Sequence, residues 1–195
     1  MRKSNLLRTA SDAGFSVTEM LAVLAVLGIV ATMAVPMLRD ATENMRLGQA
    51  AREVERELQT ARLRAVSSNR AIRVRFNCPV VGQYRMVELL GTPSIPAAED
   101  AAANRCQENV YPSPAADNNP ITVPNHDGPL RRLPKDVAFG AIETLEFWPD
   151  GSVHADAGGG PPWPPIAPPG TAISVTKGVA VKQITVNGLG KIQIQ

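Results

Sequence analysis

The sequence predicts an α+β protein in which one long N-terminal helix, half membrane-spanning and half amphipathic, packs on a C-terminal antiparallel β-sheet domain. Residues 15–38 are almost continuously apolar, and residues 39–70 repeat apolar side chains at helical spacing. Residues 71–195 then contain short segments in which apolar and polar side chains alternate, separated by turns rich in proline and glycine. At 195 residues, the chain leaves one soluble domain of ordinary size beyond the apolar segment.

Residues 1–14 form a short polar leader before the apolar segment. The leader contains three cations and one acid: Arg2, Lys3, Arg8 and Asp12. Positive charge marks the cytoplasmic side, so the C-terminal bulk is expected outside the inner membrane. Gly14 stands before the apolar core, whereas a secretory signal places its small-residue cleavage site after that core. Signal-peptide cleavage near Ala34 and an uncleaved membrane anchor stay open as alternatives.

Within the apolar segment, Glu19 is the only acid between Phe15 and Leu38. A carboxylate inside a membrane helix costs roughly 2.5–3.5 kcal/mol on insertion scales, so such residues usually have a partner and a function. Pro36 lacks an amide hydrogen and is expected to kink or loosen the helix, either as an assembly feature or as a simple bend at the membrane exit.

The second half of the helix carries one narrow apolar stripe. Its members are Leu47, Ala51, Val54, Leu58, Ala61 and Ala65. The charged residues on the other faces are expected to form a solvated surface: Arg52, Glu53, Arg56 and Glu57. The helix is predicted to end near residues 67–69, and its stripe needs a sheet or another helix to cover it.

The remaining chain is predicted to form short strands joined by loops. The predicted strands are 71–76, 84–90, 137–139, 144–148, 171–177, 181–186 and 191–194. Two segments lack periodicity and are interpreted as loop inserts, 91–129 and 157–170. The second contains three consecutive glycines and six prolines, without the following helix and lysine that a phosphate-binding loop would need.

Cys78 and Cys106 are the two cysteines of the chain. In an exported domain one pair is expected to form one disulfide, with two unpaired buried thiols as the alternative. Closing that loop would stabilise the fold by roughly 3–4 kcal/mol in the chain-entropy model.

The sequence contains no pattern typical of a catalytic, metal or cofactor site. His154, together with Asp150 and Asp156, lacks a recognised ligand spacing and is interpreted as part of a solvated loop, as is His126. We therefore expect no enzyme activity, no metal and no cofactor. The net charge of +2 does not by itself argue for nucleic acid.

The apolar run begins with a short motif that reads Gly14, Phe15, Ser16, Val17, Thr18, Glu19 and Met20. This N-terminal pattern resembles that of type IV prepilins and pseudopilins. The resemblance implies cleavage by a prepilin peptidase after Gly14 and N-methylation of the new terminus at Phe15. It also implies that Glu19 faces the charged amine of a neighbouring subunit, and Pro36 falls where many pilins have a helix proline.

Further pieces resemble the FimT/GspH type of minor pseudopilin. They are the helix leading into residues 71–74, Leu133-Pro134 with Val137 and Phe139, the turn at 147–152 and the terminal stretch 184–191. The resemblance implies a structural subunit of a type II secretion pseudopilus or a type IV pilus. Such a subunit would cross the inner membrane once, with its domain periplasmic, and would bind other pilins, the prepilin peptidase and the inner-membrane assembly platform.

DNA binding in natural transformation is the alternative function. FimT-like minor pilins contact DNA through a basic Gly-Arg-x-Arg stretch near the C-terminus, and the matching residues 190–193 keep only Lys191 as a cation. A second candidate surface is the basic cluster of Arg62, Arg64, Arg70, Arg73 and Arg75, in which Arg73 and Arg75 share one strand face. We favour the alternative that these arginines are exposed and meet acidic neighbours or keep the surface hydrated.

Overall fold

The computed structural model of the chain describes residues 16–117, 119, 121–140, 142–156 and 158–195, except for the side chains of Pro36 and Asp40. The described residues form one long helix, α1 (Val17–Ser68), and nine strands. The strands are β1 (Ile72–Phe76), β2 (Gln83–Glu88), β3 (Arg131–Arg132), β4 (Ala138–Phe139), β5 (Leu145–Phe147), β6 (Val153–Ala155), β7 (Thr171–Lys177), β8 (Ala180–Val186) and β9 (Ile192–Ile194). The predicted α+β class is confirmed.

The chain divides into two compact units, Met1–Thr42 and Glu43–Gln195. In the first unit, α1 starts after Ser16, whose carbonyl oxygen accepts hydrogen bonds from the amides of Glu19 and Met20 at 3.1 Å each. The Ser16 hydroxyl lies 3.4 Å from the Glu19 amide, as in a helix N-cap. By length and composition α1 could cross a membrane: an 18-residue window has a mean hydropathy of 2.5, and none of that window is buried.

In the second unit, the apolar stripe of α1 lies in the core as predicted. All six stripe residues are at most 2% exposed. Glu57 was expected in a solvated face but is also buried, at 3% exposure. Its Oε2 accepts a hydrogen bond from Nε of Arg131 at 3.2 Å. Burial is possible here because β3, a strand that the sequence pattern does not predict, brings that guanidinium to the helix.

Two antiparallel sheets cover the stripe. One has the strand order β3-β2-β1-β5-β6, and the other has the order β4-β7-β8-β9. Inward side chains of both sheets, among them Val74, Leu145, Ile173 and Ile184, join the same core cluster as α1. The helix therefore supplies the common layer on which both sheets are built.

Both inserts make more contacts with the rest of the β domain than the sequence predicts. Residues 91–129 contain two 3-10 helices, Ala98–Ala101 and Ala103–Cys106, and the predicted disulfide joins Cys78 to Cys106 with a Cα–Cα distance of 5.8 Å. The second insert does not project into solvent along its whole length. The amide of Ile166 donates to the carbonyl oxygen of Val153 at 3.0 Å, so the proline-rich segment lies along β6.

Candidate functional site

In the part of the chain that the structure describes, nothing covers the large apolar side chains in the first half of α1. Large apolar residues such as Leu21, Leu24, Leu27 and Ile29 are each more than half exposed. Glu19 lies in the first turn of this segment and is exposed too. The processing residues Gly14 and Phe15 lie outside the described residues. Pro36 lies within α1, and its side chain is likewise outside the described part.

The arginines near the end of α1 do not form an open basic surface. Nη2 of Arg62 donates to the carbonyl oxygen of Leu189 at 3.0 Å, and its Nε donates to that of Gly151 at 3.3 Å. Nη1 of Arg64 donates to the carbonyl oxygens of His126 and Asp127 at 3.0 and 3.2 Å. These side chains hold loops against the helix, which differs from the expected hydrated cluster.

Arg73 is the clearest correction to the predicted basic cluster. Its guanidinium is buried and forms an ion pair with Glu146, with Nη2 and Oε2 2.9 Å apart. The ring of Trp163 covers it, with the guanidinium carbon 4.2 Å from the ring centroid. Arg73 is therefore unavailable to a phosphate backbone, because its guanidinium already pairs with the Glu146 carboxylate and stacks on the Trp163 ring.

Arg75 and Arg70 are also bound within the domain. Nη1 of Arg75 donates to the carbonyl oxygen of Ala102 at 2.6 Å. Burial, together with the nearby charges of Arg73 and Arg105, lowers the pKa of the Arg75 guanidinium. Nε of Arg70 lies 3.6 Å from Oε1 of Glu88. All five arginines of the predicted cluster thus have partners in the same chain.

A buried charge cluster, which the sequence pattern does not predict, joins the first insert to β2. Arg105 forms a two-pronged ion pair with Asp127, and both residues are at most 3% exposed. Arg85 approaches the same carboxylate at 3.8 Å and donates to the carbonyl oxygens of Gly128 and Tyr111 at 2.7 and 2.6 Å. Burial lowers the pKa of Arg85, partly offset by the Asp127 charge. These contacts connect the insert to β2 from both sides, through Arg85 and through Arg105, which donates to the carbonyl oxygen of Glu88 at 2.8 Å.

Lys191 keeps an exposed side chain beside a polar concavity on the outer face of the second sheet. The concavity has a volume of about 400 Å³, and residues such as Thr185, Gln193 and Gln195 line it. Of the three DNA-contact candidates, Lys191 is the one that remains exposed, whereas Arg73 is buried and Arg75 is partly buried and bound to Ala102. One exposed cation out of the three predicted contact residues gives little support to a site for the phosphate backbone.

Weak DNA binding is therefore the expected result for the purified domain from residue 39 onward. At physiological salt, double-stranded DNA should show no saturable binding in an anisotropy titration. Lys191→Ala should leave the weak signal unchanged, as should the matched surface change Lys135→Ala. Tight, salt-sensitive binding that Lys191→Ala alone abolishes would instead support the DNA-uptake alternative.

His154 was expected in a solvated loop, but it lies in β6 and is buried. Its ring stacks on Trp148 with centroids 3.7 Å apart, and Nδ1 lies 2.7 Å from the carbonyl oxygen of Trp163. Nε2 lies 3.0 Å from Oγ of Ser152, whose hydroxyl also bonds the Asp150 carboxylate at 2.6 Å. The bonds that the hydroxyl and the amide of Ser152 donate to the Asp150 carboxylate lower the pKa of Asp150.

This arrangement differs from a catalytic triad in its connectivity. In a triad the carboxylate orients the histidine, whereas here Asp150 bonds the serine and a backbone carbonyl faces Nδ1 of His154. Among the described residues, no group of three or more His, Cys, Asp or Glu side chains is arranged to hold a metal ion. Ser152 directly precedes β6, and His154 lies within that strand, packed against Trp148.

Comparisons with known proteins return similar folds only. No family model and no curated protein matches the chain. Two crystal forms of the type IV minor pilin FimU of Pseudomonas aeruginosa align with TM-scores of 0.42 and 0.44 and identities of 18% and 21%. They cover 76% and 79% of this chain and 91% of the pilin chain in each case. The minor pseudopilin EpsH from the Type 2 Secretion System of Vibrio cholerae aligns with a TM-score of 0.43 and 12% identity, over 77% of this chain and 96% of that one. At such low identity and TM-score, the likeness carries no argument about function.

Proposed function

We propose that the chain is a structural filament subunit, a minor pseudopilin of the FimT/GspH type, and not a catalyst. It serves a type II secretion pseudopilus or a type IV pilus. A prepilin peptidase cuts after Gly14 and methylates Phe15. Until assembly the subunit stays in the inner membrane through α1, with its β domain in the periplasm. Its partners are the peptidase, the assembly platform and other pilins.

The uncovered apolar half of α1 is the observation that carries this proposal. A helix that is apolar on all sides needs lipid or other helices around it. The second unit already has its own closed core, in which the stripe from Leu47 to Ala65 is fully covered. The first half of the helix is therefore free to move from lipid to a bundle of identical or related helices without unfolding the domain.

Glu19 supports a helix bundle over a simple membrane anchor. An anchor gains nothing from a carboxylate in its apolar segment, which lipid disfavours. Cleavage after Gly14 would create a charged amine only four residues before Glu19. When chains pack side by side, that amine and the carboxylate of a neighbour would offset much of each other's cost in a medium of low dielectric constant.

Blocking cleavage tests the proposal directly. We expect Gly14→Val to leave a precursor with the mass of the full chain of 195 residues, because the bulkier residue does not fit the position that the peptidase recognises. Intact-mass spectrometry of the membrane fraction measures the outcome, and the unaltered chain should begin at methylated Phe15.

Gly28→Val is the matched control. An added Cβ at Gly28 meets nothing within 4 Å, so this variant should be cleaved as the unaltered chain is. Normal cleavage of the Gly14 variant, or an unaltered chain that begins at Met1 or beyond Ala34, would contradict the proposal.

A further inference from the structure

The turn between β7 and β8 projects apolar side chains out of the domain. Gly178 and Val179 form a two-residue turn, with Lys177 and Ala180 as the last pair of the ladder. Val179 is the most exposed large apolar residue among those described, at 102%, and Val181 on the same hairpin is 51% exposed. Turn positions favour polar residues or glycine, so a valine here calls for an explanation outside its own domain.

This turn lies where the chain enters the second unit. Nζ of Lys177 lies 3.7 Å from Oε1 of Glu43, the first residue of that unit. Leu38, the last residue of the apolar segment, stands only five positions before Glu43. Five residues span at most roughly 18 Å even when fully extended. The turn therefore stays near the end of the segment that is apolar enough to cross a membrane.

The turn between β1 and β2 carries two more exposed valines. Val80 and Val81 are 56% and 78% exposed. Phe76 and Tyr84, the last pair of β1 and β2 before this turn, both pack on the ring of Phe139, with centroid distances of 5.1 and 5.5 Å. The second turn thus begins at the level of β4.

Strand pairing and strand direction place both turns at the same end of the domain. Phe139 pairs with Val175 in β7, just before the first turn. The strand β1 begins shortly after α1 ends, and Arg131, which pairs with Tyr84, bonds Glu57 farther back along α1. Both β1 and β7 therefore run toward the start of the second unit. We call the valines of the two turns, Val80, Val81 and Val179, the valine rim.

Positive charge surrounds the valine rim. Three exposed cations lie at this end of the domain: Arg46, Lys135 and Lys182. None of the three forms an ion pair within the described part of the chain. Two acids lie nearby, Asp136 and Glu43, and Glu43 already pairs with Lys177. The rim therefore combines apolar tips with a surplus of positive charge.

We infer that the valine rim rests on the surface of the phospholipid bilayer while α1 spans it, with the surrounding cations on anionic headgroups. Apolar side chains that enter the headgroup region, flanked by lysine and arginine, are the pattern of a surface that binds membranes. An acidic protein would match the cations alone. The apolar tips, and their closeness to the end of the apolar segment, favour lipid.

The small size of the rim decides what the contact does. Four exposed valines bury too little area to hold a domain on lipid by themselves, whereas α1 supplies the anchor. The rim therefore orients the domain on the bilayer through a reversible contact. The inference rests on the proposed function only in that α1 lies in a membrane.

Quenching by lipid-borne nitroxides tests the inference on the full chain. Cys78 and Cys106 are joined to each other, so a fluorophore on Val179→Cys reports on that site alone. The chain is reconstituted in vesicles of phosphatidylethanolamine and phosphatidylglycerol that contain a phospholipid with a nitroxide near its headgroup. We expect the label at 179 to be quenched at least about threefold more than a label at 189.

Leu189→Cys is the matched control because it is equally accessible but distant from the rim. Leu189 is 81% exposed, and its carbonyl oxygen accepts a bond from Arg62. Residue 62 lies 19 positions after residue 43, which is about 29 Å along a helix that rises 1.5 Å per residue. Equal quenching at 179 and 189 would overturn the inference and leave the cations to an acidic protein surface or to solvent.

Charge reversal tests the part played by the headgroups. Lys135→Glu combined with Lys182→Glu should at least about halve the quenching at 179, as should replacing phosphatidylglycerol with phosphatidylcholine. Lys191→Glu, which reverses an exposed lysine close to Leu189, should leave the quenching unchanged. Quenching at 179 that neither the double reversal nor the lipid exchange reduces would also overturn the inference.

The mass of the N-terminus and the yield of sheared filaments are measured on the same chain made in cells. Processed filaments without selective quenching at 179 remove only the lipid contact. Selective quenching in a chain that keeps Met1 and forms no filaments retains the lipid contact and removes the proposed function. Loss of both results removes both.

Discussion

Glu19→Ala should yield a chain that enters the membrane and is cleaved after Gly14, yet assembles at least about tenfold less than the unaltered chain. In the proposed filament, the substitution removes one partner of the ion pair between neighbouring helices and leaves the other charge unpaired. Insertion itself should improve, since the substitution removes a charge that lipid disfavours. Sedimentation of sheared filaments, quantified against membrane-bound subunit, measures the difference.

Two companion variants sharpen the Glu19 experiment. Glu19→Gln keeps the shape of the side chain without its charge, and it should assemble as poorly as the alanine variant. Glu55→Ala removes another glutamate of α1, whose side-chain contact is a long bond from Gln59 at 3.4 Å, and it should assemble normally. Full assembly of both Glu19 variants would remove the proposed role of the charge.

Asp127→Ala should destabilise the β domain by about 3–5 kcal/mol, the range for breaking a buried ion pair from one side. The carboxylate pairs with Arg105, lies 3.8 Å from Arg85 and accepts a hydrogen bond from the Glu88 amide at 2.8 Å. Its loss would leave two buried guanidinium groups without their common counterion. Denaturant unfolding of the fragment 43–195 measures the change, read from the midpoint at constant slope.

Asp117→Ala is the matched control for Asp127. Asp117 belongs to the same insert but is exposed, and its carboxylate accepts one backbone bond, from Asn119 at 3.3 Å. Its removal should change stability by no more than about 0.5 kcal/mol. A loss at Asp127 as small as that at Asp117 would mean that the charge cluster does not hold the insert.

The parts of the fold that depend on local periodicity could be predicted from the sequence. Steps of three and four identified the buried stripe of α1, and strict alternation identified β1. The strand β7 was predicted with the bounds that the structure has. In contrast, β3 consists of two arginines and offers no apolar side chain to detect. The strand β6 contains His154, which had been interpreted as part of a loop.

The burial of charged residues could not be predicted in the same way. Arginine is seldom fully buried unless it is paired, so an exposed surface was the natural expectation for Arg73. Its partner Glu146 lies 73 positions away and comes near only when β1 pairs with β5. Arg105 and Asp127 sit in an insert without periodicity. Their association depends on the folded path of that insert, which composition does not encode.

The arginines that bind backbone carbonyl oxygens have a consequence for how this domain can evolve. Arg62, Arg64 and Arg75 hold neighbouring loops through an atom that every amino acid carries. Replacing a loop side chain therefore leaves these attachments in place. The sequences of the exposed loops can therefore change while the helix and sheets keep the same contacts to the loop backbone.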